Sequence, residues 1–197
     1  MNFSDITYTG PAIDDVALLG RLDDAHRALL ERTNGLIAFG GGLHIRGICE
    51  EPAWHSLKAA WEGPEAYHRL YPELLADDVP FAQDAFGDQW LLRDGFVIRL
   101  NAEDAVITET GLRLEEFIEA ACDDPVDFLA LELFEEWRGD GGVLEPGMLL
   151  RIHPPACSEE ALSGVSVVAV TARQRFVELV NLAHAIRSLP PADDAVG

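Results

Sequence analysis

The residues of this chain that could do chemistry are six histidines, three cysteines, a run of three glycines and a surplus of carboxylates. The histidines, His26, His44, His55, His68, His153 and His184, include no pair at the short spacing that sets two metal ligands on one helix face. A metal centre of His44, His55 or His153 with carboxylates would have to assemble from distant parts of the chain. His26 and His184 fall inside amphipathic patterns, where a surface or half-buried histidine is the ordinary role, so no metal and no cofactor is expected. Gly40-Gly41-Gly42 lacks the Lys and Ser or Thr of a phosphate-binding loop and is followed by the strand pattern Leu43-His44-Ile45-Arg46, which makes it a turn. Ser158 and Ser166 stand in no nucleophile context. Cys122 and Cys157 have no local His or basic partner that would lower a thiol pKa. Acid pairs such as Asp123-Asp124 and Glu135-Glu136 are too common here to mark an acid and a base, and a solvated helix face explains them. No catalytic residue is assigned, and an enzyme is not expected.

Charge is what remains. The chain carries 14 Lys and Arg against 35 Asp and Glu, a net of −21. Phosphate affinity comes mainly from Lys and Arg releasing counterions, so nucleic acid is excluded as the default partner and anionic membranes are disfavoured. Such a field either keeps the protein soluble or steers basic protein surfaces toward it. Between Glu103 and Glu145, 14 acidic residues face two basic ones, Arg113 and Arg138. The candidate partner-binding residues are therefore Glu115, Glu116, Glu119, Asp123, Asp124, Glu132, Glu135 and Glu136. Trp54 and Trp61 join them, because tryptophan is enriched in binding hot spots; Tyr67 and Tyr71 share their aromatic segment.

The elements that must position these residues follow from periodicity. One helix is expected over 14–33 from Leu18, Leu22, Ala25 and Leu29, stopped by Asn34-Gly35. Leu36 to Phe39 and Leu43 to Ile48 read as a strand pair, and 53–76 as two short helical pieces broken at Gly63-Pro64. Asp94-Gly95 joins Gln89–Arg93 to Phe96–Leu100 as a two-residue hairpin, since both turn residues accept positive φ. Helices are expected over Leu114–Ala121 and 125–137, strands over Met148–Ile152 and Val165–Val170, and a last helix from Ala172 to Ser188, capped by Thr171 and ended by Pro190-Pro191. The expectation is one α+β domain over 1–191, a single mixed or antiparallel sheet flanked by helices, with a frayed tail at 192–197. Cys49, Cys122 and Cys157 are odd in number and far apart, which suggests a reducing, cytoplasmic setting without disulfides. Neither a secretory leader nor a membrane span is legible.

Three stretches resemble the SUKH superfamily, which includes the yeast Smi/Knr cell-wall-synthesis regulators. They are Asn34-Gly35-Leu36 with the strand Leu43 to Gly47; Val79-Pro80-Phe81-Ala82 through Gly87 to Trp90 and the Asp94-Gly95 hairpin; and Leu144-Glu145-Pro146-Gly147 through His153-Pro154-Pro155 to the terminal helix. Together they cover most of the chain. In the second stretch Gly87 is expected to relieve a tight backbone position, with Phe81 and Trp90 packing the sheet. The resemblance implies a mixed sheet flanked by helices and, in bacteria, a frequent role as an immunity protein that neutralises a toxin, often a nuclease. A regulatory or scaffold domain for another protein partner is the alternative it implies. It supplies no universal site, so the residues named above rest on charge.

Overall fold

The computed structural model describes residues 2–189, and the Pro190-Pro191 stop and the 192–197 tail lie outside them. Short strands separated by turn residues form an antiparallel meander. β1 (Tyr8–Thr9), β2 (Leu36–Ala38), β3 (Leu43–Ile45), β4 (Val79–Asp84), β5 (Gln89–Arg93), β6 (Phe96–Leu100) and β7 (Ile107–Glu109) make a seven-stranded sheet in sequence order. β2 and β3 pair Leu36 with Ile45 and Ala38 with Leu43, around the glycine turn expected between them. Asp94 (φ 52°) and Gly95 (φ 80°) both take the positive φ that the β5–β6 hairpin requires.

Helices cover both faces. α1 (Val16–Leu19), α2 (Asp24–Thr33), α3 (Leu57–Glu62) and α4 (Tyr67–Leu70) interrupt the strands, and α5 (Leu114–Asp123), α6 (Pro125–Leu129) and α7 (Glu132–Gly139) follow them. Trp90, Leu92 and Val97 of the hairpin pack with Leu29, Phe117, Ile118, Leu129 and Phe134, so α2 and α5 to α7 lie on one face. The alternate residues Leu91, Ile98 and Leu100 pack with Tyr67 and Tyr71 on the other face.

The chain then forms β8 (Met148–His153), β9 (Ser166–Thr171) and α8 (Ala172–Arg187). β8 and β9 pair with each other in register from Met148↔Thr171 to His153↔Ser166, giving a second, two-stranded sheet where one sheet was expected. Leu150 N–H donates to Ala85 O at 2.8 Å, tying this hairpin to the chain just past β4. Leu179 and Ala183 of α8 complete the cluster beneath Tyr67 and Tyr71.

Two expected helices are broken, for local reasons. The 14–33 helix is split into α1 and α2 because Asp15 and Asp23 each cap a separate start, accepting from Leu18 N and His26 N. The 125–137 helix is split at Ala130, whose left-handed φ of 56° ends α6 before α7 begins. Thr171 caps α8 as expected, accepting from Gln174 N at 3.1 Å. Gly87 (φ 101°) ends the β4–β5 turn, and a Cβ there would stand 2.7 Å from Leu179 Cδ1. No described helix is long and apolar enough to cross a membrane.

Candidate functional site

α5 is amphipathic by sequence: Leu114, Phe117, Ile118 and Ala121 are buried, so Glu115, Glu119 and Asp123 form a row one turn apart on the solvent side. α7 repeats the pattern with Phe134 inside and Glu132 and Glu136 outside. The three helices pack in succession, α5 on α6 and α6 on α7. These five carboxylates are exposed and accept no hydrogen bond from any described residue.

The other acids of the set have local work. Glu116 accepts from Arg113 N at 2.8 Å at the start of α5, and Asp124 accepts from Asp127 N at 3.2 Å to cap α6. Glu135 pairs with Arg138 at 3.1 Å, and Arg138 also reaches Asp5 at 2.6 Å across the glycine turn. Glu103, at the start of the acidic segment, is not surface charge: it is buried against Arg175 at 3.0 Å. Trp61 is core, 7% exposed, with its Nε1–H donated to Ala76 O and Arg21 over its ring. Tyr67 and Tyr71 are core as well. Trp54 is half-buried against Tyr8, His44 and His55, away from the acidic helices. The exposed acids thus fall in two sets, one along α5 and one along α7, and the tryptophans belong to neither.

Sequence reasoning missed a buried polar chain on the second face of the sheet. In β3 Leu43 and Ile45 point into the core, so His44 and the following Arg46 share the opposite face with Gln83 of β4 and Gln89 of β5. Arg46 Nη2 donates to Gln83 Oε1 at 2.7 Å and to Gln89 Oε1 at 2.6 Å, and Nη1 donates to Pro80 O at 2.9 Å and Ala82 O at 3.3 Å. Gln83 Nε2 donates to His44 Nδ1 at 3.2 Å, His44 Nε2 meets His55 Nδ1 at 2.8 Å, and His55 Nε2 meets Asn34 O at 3.0 Å. Burial first, and the Arg46 charge after it, holds His44 well below the usual imidazole range; burial likewise lowers His55. Gly10, Gly35 and Gly47 enclose the His55 ring so closely that a Cβ on any of them would stand 2.7 Å or less from it.

All three cysteines are free; burial pushes the Cys49 thiol up to about 11 and raises Cys157, which Glu103 reinforces. His26 is fully buried and His184 exposed. Among the described residues no three His, Cys, Asp or Glu side chains gather where they could hold a metal ion. Compared with protein-family models, curated proteins and solved structures, the chain matches none.

Proposed function

We propose that this chain is a non-catalytic, acidic protein-binding module of the cytoplasm, an immunity-type protein that neutralises a cationic toxin domain by direct binding. The observation that carries the reading is the exposed carboxylates of α5 and of α7 that accept no hydrogen bond from any described residue: Glu115, Glu119, Asp123, Glu132 and Glu136. A domain that handles phosphates is basic where it does so, and a surface of opposite sign meets it quickly and can mask it. SUKH membership, proposed on the three stretches quoted above, supports the same role.

The test is co-expression with the proteins encoded beside it, read as rescue of growth from any neighbour that carries a toxin domain and as a purified complex. Rescue is expected, with an association rate that falls steeply as salt rises. No rescue and no complex would overturn the toxin reading. A complex with a non-toxin neighbour would instead favour the regulatory or scaffold role.

A further inference from the structure

Of the two buried arginines, Arg175 has a carboxylate partner and Arg46 has none. Arg46 is 3% exposed, and every acceptor it reaches is neutral: two backbone carbonyls, two glutamine side chains and, at 3.4 Å, the Tyr67 hydroxyl. A guanidinium does not discharge in proteins, so a full positive charge sits inside without a counter-charge, in a protein where carboxylates outnumber Lys and Arg by 35 to 14.

Arg46 lines a cavity of about 630 Å³, bounded by the Pro52-Ala53-Trp54 loop, α3, the Pro146-Gly147 turn and the N-terminal turn of α8. Trp54, Leu149, Phe176 and Leu179 give it apolar and aromatic walls. Two donors remain for an occupant. Among the described residues no acceptor reaches Arg46 Nε–H, and the Tyr67 hydroxyl, which accepts from Arg46, donates to none. The first turn of α8 adds the positive end of its dipole. The acids on the lining are Glu51 and Glu65. Glu65 is neutralised by a two-pronged pair with Arg173, and Glu51 sits at the exposed rim, accepting from Ala53 N. The protein's net negative charge is screened beyond about 8 Å at physiological salt, so the local cation decides the sign of the occupant.

We propose that this cavity binds a small organic anion, a carboxylate on an aromatic or alkyl body, with Arg46 supplying its counter-charge. The volume falls in the range of about 300–1,000 Å³ typical of small-molecule sites, and apolar walls around a few polar groups are their usual lining. This site is separate from the acidic helices and does not depend on their role.

The test uses 2-naphthoate and its uncharged analogue 2-naphthamide as probes, titrated into the full chain by calorimetry with thermal shift as a second readout. The naphthoate is expected to bind at least tenfold more tightly and to raise Tm more. Arg46→Gln should erase that preference. Ala59→Trp, an exposed cavity-lining position on α3 outside the Arg46 network, should abolish binding of both probes. Equal affinity of the two probes, or no binding of naphthoate at millimolar concentration, would mean that Arg46 only knots the sheet, and the proposal would fall. Unchanged naphthoate binding by Ala59→Trp would place the anion elsewhere and overturn it too. Should Arg46→Gln fail to fold, the wild-type probe ratio and Ala59→Trp still decide the matter.

Discussion

His44 Nε2 and His55 Nδ1 stand 2.8 Å apart in the interior, and one arrangement of protons satisfies the whole chain around them. Gln83 Oε1 accepts from Arg46, so Gln83 Nε2 must donate to His44 Nδ1. His44 then carries its proton on Nε2 and gives it to His55 Nδ1, and His55 Nε2–H is left for Asn34 O. Both rings are neutral, and a further proton on either would set donor against donor.

Replacing His55 by Leu removes a member of this chain and leaves His44 Nε2–H and Asn34 O without partners. Each orphaned group costs about 1–3 kcal/mol, so a loss of roughly 2–5 kcal/mol is expected in denaturant unfolding. Gly47→Ala should be at least as damaging, because its Cβ would stand 2.0 Å from the backbone oxygen of Asn34, which cannot swing aside as a side chain could.

His26 tests the opposite situation. It is fully buried in α2 with neither ring nitrogen hydrogen-bonded, and burial lowers it to about 4 from 6.5. The unfolded chain therefore takes this proton first as pH falls; the contribution is intact above 6.5 and is lost progressively down to about 4. Asp84, which burial and Asp88 push up to about 7, acts with the opposite sign, so the informative quantity is a difference between two proteins. Relative to His26→Leu, the wild type should lose about 2–3 kcal/mol between pH 7.5 and roughly pH 4.5, at about 1.4 kcal/mol per pKa unit. Equal pH slopes for the two proteins in urea titrations would show that His26 is not held neutral.

Some local signals were legible in this sequence, although the Asp15 and Asp23 caps that split the first helix were not read, and long-range pairings were hidden. Asp94-Gly95 announces its hairpin because the turn itself demands positive φ, and Thr171 announces α8 because a cap is a bond to a residue three positions on. Ala130 gives no such signal: it takes the left-handed region without being Gly or Asn, so the break between α6 and α7 is set by packing. β4 was hidden by Pro80, which sits where the β4–β5 register shifts and therefore breaks no ladder bond there. His44 and His55 meet through the bridge of Gly47, just past β3, to Ser56, and Trp61 is buried on α3 while Trp54 stands half-buried in the loop before it. Composition could count the charges but could not show that Glu103 is buried while Glu119 is not.

The acidic face should be separable from folding. Glu115, Glu119, Glu132 and Glu136 have no hydrogen-bond partner among the described residues, so changing all four to Gln should move stability by no more than about 1 kcal/mol: relief of repulsion between like charges one helical turn apart offsets the loss of Glu115 and Glu132 from the first turns of α5 and α7. Binding to a basic partner should weaken roughly tenfold or more, mainly through association rate, with a shallower salt dependence. Stopped-flow association at two salt concentrations checks both; unchanged rates would move the docking surface away from α5 and α7.

The Glu103–Arg175 pair is the clasp that holds α8, and with it one wall of the Arg46 cavity, on the sheet. Arg175 donates to Glu103 Oε1 at 3.0 Å and to Phe86 O at 3.0 Å, while the second Glu103 oxygen accepts from Cys157 N at 3.2 Å. The two side chains are 5% and 7% exposed, so neither charge has water to fall back on. Glu103→Gln keeps the shape and strands the guanidinium, and a loss of about 3–5 kcal/mol is expected, the range for breaking a buried pair from one side. Replacing both, as Glu103→Leu with Arg175→Met, removes the stranded charge and should recover much of that loss, although Phe86 O and Cys157 N–H then lose their partners. A double-mutant cycle in guanidinium chloride measures the coupling directly, and additive losses would show that the clasp is packing by Leu179 and Ala183 rather than charge.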